Sequence, residues 1–284
     1  MDISDWIDNV CLLPYFERRI FLSKNPDPPQ SRYIYKYRKV DSGSSGSIER
    51  VRDILVNNQL WLSRPSSFND PFDMQARVIV KGTGKEIRDR YREIQKRLGV
   101  RYKEREKQLS KLMGKSHKEI EEDLTNTYKK HVDTMGVCSF AGDPRSILMW
   151  SHYAENHEGI CIQFERAQDY RVLSRAIPVD YNREYPTVDW LNNFKSSLSK
   201  ALLRKHDKWS YEEECRIIEP NKANTCIQLK PESIVGIIFG CSCKEETKDS
   251  VSELLKEREL KGYPSVIKLT AKLHPSNYKL VLCG

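Results

Sequence analysis

No stretch of this 284-residue sequence stays apolar long enough to cross a bilayer, which excludes a helical membrane span. The opening residues, Met1-Asp2-Ile3-Ser4-Asp5, lack the basic-then-apolar layout of a secretion signal. A cytoplasmic chain with no membrane partner is therefore expected. Zinc-ligand spacing is missing too. Of the eight cysteines, at 11, 138, 161, 215, 226, 241, 243 and 283, only Cys241 and Cys243 stand close together, and no second Cys/His pair accompanies them. The others are scattered, several inside strand-like apolar runs, and read as reduced core residues. His152 and His157 are five apart and so do not share a helical face as metal ligands would. No metal is expected. Gly82-Thr83-Gly84-Lys85 is not a phosphate loop, because the first glycine is misplaced and Glu86 stands where Ser or Thr is required. There is no internal repeat.

What is present describes a globular protein: 38% hydrophobic and 31% charged residues. The length suits one large domain or one domain with a substantial insertion. The net charge of +8 is unevenly placed. Residues 81–130 hold 16 Lys and Arg against 9 Asp and Glu, a surplus of 7. Such a segment attracts a phosphate backbone or an acidic partner, or is simply a solvated helical face.

Periodicity divides the chain further. Residues 1–32 read as an amphipathic helical lead-in and a Pro-rich linker, and 33–284 as one α+β domain interrupted by a basic helical insertion at 81–131. Strands are expected at 33–38, 60–63, 137–140, 160–164, 234–239, 266–269 and 278–282, and helices at 48–55, 189–206 and 244–260. The insertion reads as two long helices hinged near Met113-Gly114, with Ile87, Tyr91, Ile94 and Leu98 on one stripe. Asp143 with Pro144 behind it reads as the N-cap of a helix through Trp150 and Tyr153 that ends at Gly159.

Three segments carry chemistry. On the first strand Tyr35 and Tyr37 share one face and Lys36 and Arg38 the other. Two cations at that spacing can grip a diphosphate or, equally, guard an exposed strand edge. The second segment joins Ser139-Phe140 to the helix bearing Trp150, His152 and Tyr153. These rings suit a slot for a flat cationic ring or plain core packing. The third is Trp209 to Ile218, read as a strand with Ser210, Glu212, Glu214 and Arg216 on one face. Carboxylates two residues apart repel unless a donor, a cation or a substrate lies between them. They form either a structural ion pair with Arg216 or an active site. Glu213 falls on the opposite face and is expected to be dispensable. Asp70 and Asp73 with the glutamates around a metal would make a nuclease, but no spacing requires it.

Tyr35-Lys36-Tyr37-Arg38, Asn69-Asp70-Pro71-Phe72-Asp73, Met149-Trp150-Ser151-His152-Tyr153-Ala154 and Trp209-Ser210-Tyr211-Glu212 with Glu214 and Arg216 resemble one bacterial domain-of-unknown-function family, over about residues 33–220. The layout is also similar to that of ADP-ribosyltransferases, which implies a split β-sandwich with a helical insertion and NAD as substrate. Carried over, the resemblance makes Lys36 and Arg38 contacts for NAD and Ser139-Phe140 the middle strand. Trp150 or Tyr153 then stacks on nicotinamide with His152 as a donor, Glu214 is catalytic and Glu212 is the accessory acid. The implied function is ADP-ribose transfer to a macromolecule, nucleic acid favoured over protein, in a toxin or phage-defence effector with an acidic antitoxin or inhibitor as a further partner. The alternative is a non-catalytic nucleic-acid-binding or sensor module in a defence system, in which 212–216 is a structural ion-pair ladder.

Overall fold

The computed structural model describes residues 32–40, 45–192 and 194–284, with positions 17 and 20 besides. The helical lead-in and linker expected before residue 32 lie outside the described residues, apart from those two positions. In chain order the elements are β1 (Tyr33–Arg38), α1 (Ser45–Leu55), β2 (Gln59–Leu62), β3 (Arg77–Ile79), α2 (Gly84–Arg97), α3 (Tyr102–Met113), α4 (His117–Val132), β4 (Gly136–Phe140), α5 (Ile147–Tyr153) and β5 (Ile160–Glu165). There follow β6 (Ile177–Pro178), β7 (Asp180–Tyr181), β8 (Thr187–Asp189), α6 (Phe194–Leu203), β9 (Arg204–Lys205), β10 (Cys215–Glu219), β11 (Thr225–Gln228), β12 (Ile234–Phe239), α7 (Glu245–Leu260), β13 (Ile267–Leu273) and β14 (Leu280–Cys283). The fold is mixed α+β.

These elements fall into two compact units. The sheet unit holds residues 32–68, Met135–Tyr181 and Asp207–Gly284; the basic unit holds Asn69–Thr134 and Asn182–His206. The basic unit is thus wider than an insertion confined to 81–131.

In the sheet unit a five-stranded sheet runs β1-β5-β12-β13-β14 and a three-stranded sheet runs β4-β10-β6. Reciprocal backbone hydrogen bonds between Tyr35 and Ala141, 3.0 and 2.8 Å, tie β1 to the end of β4. The apolar runs of β5 and β12 are buried on both faces, which is why they lack polar alternation. β1 alternates instead: Ile34 enters the core with Phe164, Ile162 and Ile237, while Tyr35 and Tyr37 enter a second core with Trp150 and Ile238. β12 and β13 pair in parallel, and α7 supplies the crossover between them. The buried Arg258 on α7 donates to the Leu55 carbonyl and the Asn58 side chain, both at 2.8 Å, joining α7 to the end of α1.

In the basic unit β3 and β8 pair in parallel, and α4 lies along β3, with Val80 N–H donating to Glu121 at 2.9 Å. Three corrections to the sequence expectation arise here. The insertion holds three helices rather than two, because Gly99, at φ +71°, turns the chain after α2. Leu98, assigned to the apolar stripe, is exposed. The excluded phosphate-loop segment has its own explanation: Thr83 caps α2 and Glu86 reaches back to it, a capping box. Residues 187–189 form β8, so the helix expected over 189–206 is the shorter α6.

Candidate functional site

The acidic segment begins in the backbone. The strand expected over 209–218 is a strand only from Cys215; Asp207–Glu212 is a 3-10 helix. Glu213 then takes a left-handed φ of +43°, which turns the chain into β10. Alternation therefore does not set the faces of Glu212 and Glu214; a helical turn and one left-handed residue do. The tight turn needs room. A Cβ placed on Gly142 would meet the Glu213 Cβ at 2.9 Å and its carbonyl oxygen at 3.1 Å.

Each acid has a defined partner. Tyr153, on the last turn of α5, donates its hydroxyl to Glu212 Oε1 at 2.8 Å. Arg216 grips Glu214 in a fork, Nε to Oε1 at 2.6 Å and Nη2 to Oε2 at 2.9 Å. Glu212 and Glu214 are each 4% exposed and Arg216 only 1%. The backbone of Glu214 is fixed from both sides: its N–H donates to the Tyr181 hydroxyl at 2.7 Å, and its carbonyl accepts from Val179 N–H at 2.8 Å. Burial pushes the Tyr181 phenol well above its ordinary range, so it stays a neutral acceptor.

Strand order brings the cationic strand to this corner. Because β1 meets β4, and β4 pairs with β10, Lys36 reaches the Ser139 carbonyl at 2.7 Å. Its ammonium also lies 3.4 Å from the Cys138 sulfur and 5.2 Å from the centre of the Phe140 ring. Burial lowers the Lys36 pKa; the neighbouring Cys138 and, more weakly, Glu214 act against that. Arg38 is lowered by burial as well, and Arg50 repels it further. The buried Arg38 Nε has no hydrogen-bond partner among the described residues.

The ring residues divide. Trp150 is fully buried, donates its indole N–H to the Pro144 carbonyl at 2.8 Å, and packs edge-on against Tyr37 at 5.1 Å. Phe140 packs edge-on against Phe164 inside the core. His152 is exposed, 6.2 Å from the Tyr211 ring and 6.4 Å from Tyr153. Trp209 adds a further ring 6.0 Å from Tyr211. Glu212 is therefore flanked by Tyr153, and Tyr153 stands beside a half-open group of rings, while Trp150 and Phe140 serve the core.

The helix bearing Tyr153 differs at both ends from expectation. Ser146, not Asp143, is the N-cap, and Asp143 instead accepts from Arg145 N–H in a turn one step earlier. Ser146 also donates to the Tyr211 carbonyl at 3.4 Å, linking the helix start to the acidic turn. The helix ends at Tyr153 rather than at Gly159, and Glu155, Asn156 and His157 follow with φ of 49°, 51° and 70°. Gly159 is needed for a close approach: an added Cβ would lie 2.3 Å from the Arg38 carbonyl.

The metal alternative gains nothing here. Among the described residues no group of three or more His, Cys, Asp or Glu is placed to hold an ion. Asp73, assigned to that site, faces Lys205 at 3.8 Å. Every cysteine among the described residues is free; Cys138, Cys161 and Cys215 are buried as core thiols, whereas Cys226, expected in the core, is exposed and Cys283 is partly buried. No helix among the described residues is long and apolar enough to cross a membrane. Sequence reasoning missed Tyr181, whose only signal is its place in a short polar strand, and it missed the fork between Glu214 and Arg216 as a defined geometry.

The profile of a family described as "Protein of unknown function (DUF2971)" matches residues 149–217, which carry Tyr153, Glu212, Glu214 and Arg216. No curated protein and no solved structure matches the chain.

Proposed function

We propose that this chain transfers ADP-ribose from NAD to a macromolecular acceptor, using Glu214 as the principal acid and Glu212 as its accessory. The observation that carries the reading is strand adjacency. The cationic β1 lies beside β4, and β4 beside β10, so Lys36 meets the Ser139 carbonyl of the middle strand and lies near enough to Glu214 to feel its charge, although the three are far apart in sequence.

The donor set suits a dinucleotide. In this reading Arg38 is a contact for a diphosphate, and Lys36, already bonded to the Ser139 carbonyl, contributes positive charge. NAD supplies the ADP-ribosyl group: the bond from ribose to nicotinamide breaks with its electron pair leaving on nicotinamide, and the acceptor gives up a proton. The residues of this chain hold and orient. Arg216 fixes the rotamer of Glu214 through both carboxylate oxygens. Tyr153 holds Glu212 in place through its hydroxyl and presents its ring beside His152 and Tyr211. A fixed negative group of this kind favours positive charge developing on the ribose.

The buried Glu214–Arg216 fork favours one other reading, the non-catalytic module in which these charges only brace the fold. Calorimetric titration with NAD separates the two. Saturable binding that Arg38→Met weakens is expected of the transferase. Absence of binding heat in a correctly folded protein leaves the module.

A further inference from the structure

The basic unit has a groove of its own. It measures about 360 Å³ and is lined by Phe72 and Tyr185, by Arg183, Arg204 and Lys205, and by His206. That volume lies in the range of small-molecule and nucleotide-sized pockets.

Its aromatic walls are built deliberately. In the Asn69-Asp70-Pro71-Phe72-Asp73 loop the buried Asp70 accepts the Phe72 N–H at 2.9 Å, and its carbonyl accepts from Asp73 N–H at 3.2 Å. Asp73, buried too, faces Lys205, and the Met74 carbonyl accepts the Tyr128 hydroxyl at 3.0 Å. Two buried acids and a buried tyrosine thus anchor the backbone on either side of Phe72, yet the Phe72 ring is 64% exposed. The polar scaffold thus holds an apolar side chain at the groove. Tyr185 is 51% exposed and equally constrained. Asn182 accepts Glu184 N–H at 3.0 Å before it, and the Pro186 carbonyl accepts Arg77 N–H at 3.0 Å after it.

The charge fits an anion. Segments 69–134 and 182–206 hold 22 Lys and Arg against 14 Asp and Glu, a surplus of 8 that equals the net charge of the whole protein. On the helices some of these cations are paired, Arg92 with Glu106 and Arg90 and Arg97 with Glu93. The groove is lined by Arg183, Arg204 and Lys205 and by one acid, Glu184; Lys205 is held by the buried Asp73.

Exposed rings between cations are the chemistry that grips unpaired bases and their phosphates. We propose that this groove binds single-stranded nucleic acid, with bases stacked on Phe72 and Tyr185 and phosphates held by Arg183 and Arg204. The binding stands on the groove alone; that the strand is the class of acceptor rests on the transferase reading.

Fluorescence anisotropy with labelled 12-nucleotide DNA and RNA strands, on the full chain, is the test. Wild type is expected to bind single strands more tightly than the matching duplex. Phe72→Ala and Tyr185→Ala each weaken binding by about 5- to 100-fold, and Phe72→Trp restores it. Phe72 is exposed, so an unchanged melting temperature separates lost binding from lost fold. The proposal is overturned if removing either ring leaves affinity unchanged, if duplex binds as tightly, or if a free mononucleotide competes as well as the strand. Nicotinamide release from NAD alone is measured in parallel. Its absence overturns the transferase reading and leaves the groove standing, whereas loss of strand binding alone does the reverse.

Discussion

Two arginine–glutamate forks show how differently the two units use charge. In the sheet unit Arg216 holds Glu214 with both side chains withdrawn from solvent, 0% and 4% exposed. In the basic unit Arg92 holds Glu106 with the same two-point geometry, 3.0 and 2.8 Å, but at 45% and 27% exposure. The two-point pattern is shared; the dielectric is not. A buried fork whose partner is removed leaves an uncompensated ion, whereas an exposed one is replaced by water and counterions. The two forks thus differ in setting: the one at Glu214 fixes a position inside the sheet unit, and the one at Glu106 lies at the surface of the basic unit.

Breaking both forks in the same way gives the largest contrast. Arg216→Met is expected to lower the unfolding free energy by about 3–5 kcal/mol, because the buried Glu214 loses its two-point partner. Arg92→Met is expected to leave the urea midpoint within error of wild type. Equal losses at the two sites would remove the distinction.

The sequence foreshadows this contrast only in part. The strands at 137–140, 160–164 and 234–239 follow from continuous apolar runs, and the surplus over 81–130 is visible by counting. The buried fork was one of two readings of the acidic segment, but its setting was hidden. Nothing in Trp209-Ser210-Tyr211-Glu212 marks a 3-10 turn, and glutamate is not a residue that sequence patterns assign to a left-handed φ, so the turn at Glu213 depends on the space above Gly142. The pairing of Tyr153 with Glu212 is likewise a tertiary product, made between residues 59 positions apart in sequence. The groove was hidden for a different reason. Phe72 reads as an ordinary loop residue until two buried aspartates show that its exposure is imposed.

A subtler break is Tyr153→Phe. It removes the hydroxyl donor from a buried carboxylate while keeping the ring, and a loss of about 1–3 kcal/mol in stability is expected. Slower nicotinamide release should accompany it if Glu212 is the accessory acid. A variant as stable as wild type would show that the bond does not hold Glu212.

The smallest effect concerns pH. Burial lowers the His157 pKa below the usual 6.5, and its Nδ1 has no hydrogen-bond partner among the described residues. The unfolded chain therefore binds the proton more readily than the folded one, so stability falls as pH drops through the unfolded value of 6.5 toward the lower folded value. His157→Gln should flatten the stability profile in that window. A profile with the same slope in both proteins would assign the acid sensitivity elsewhere.

The transferase reading meets its most direct test in nicotinamide release from NAD, followed by mass spectrometry, for wild type and Glu214→Gln side by side. The Glu212→Gln protein serves as a second variant should loss of the Glu214 charge unfold the chain. Release by wild type that falls to background in the folded variants is the predicted result. No release by wild type, or equal release by wild type and variants, would contradict it.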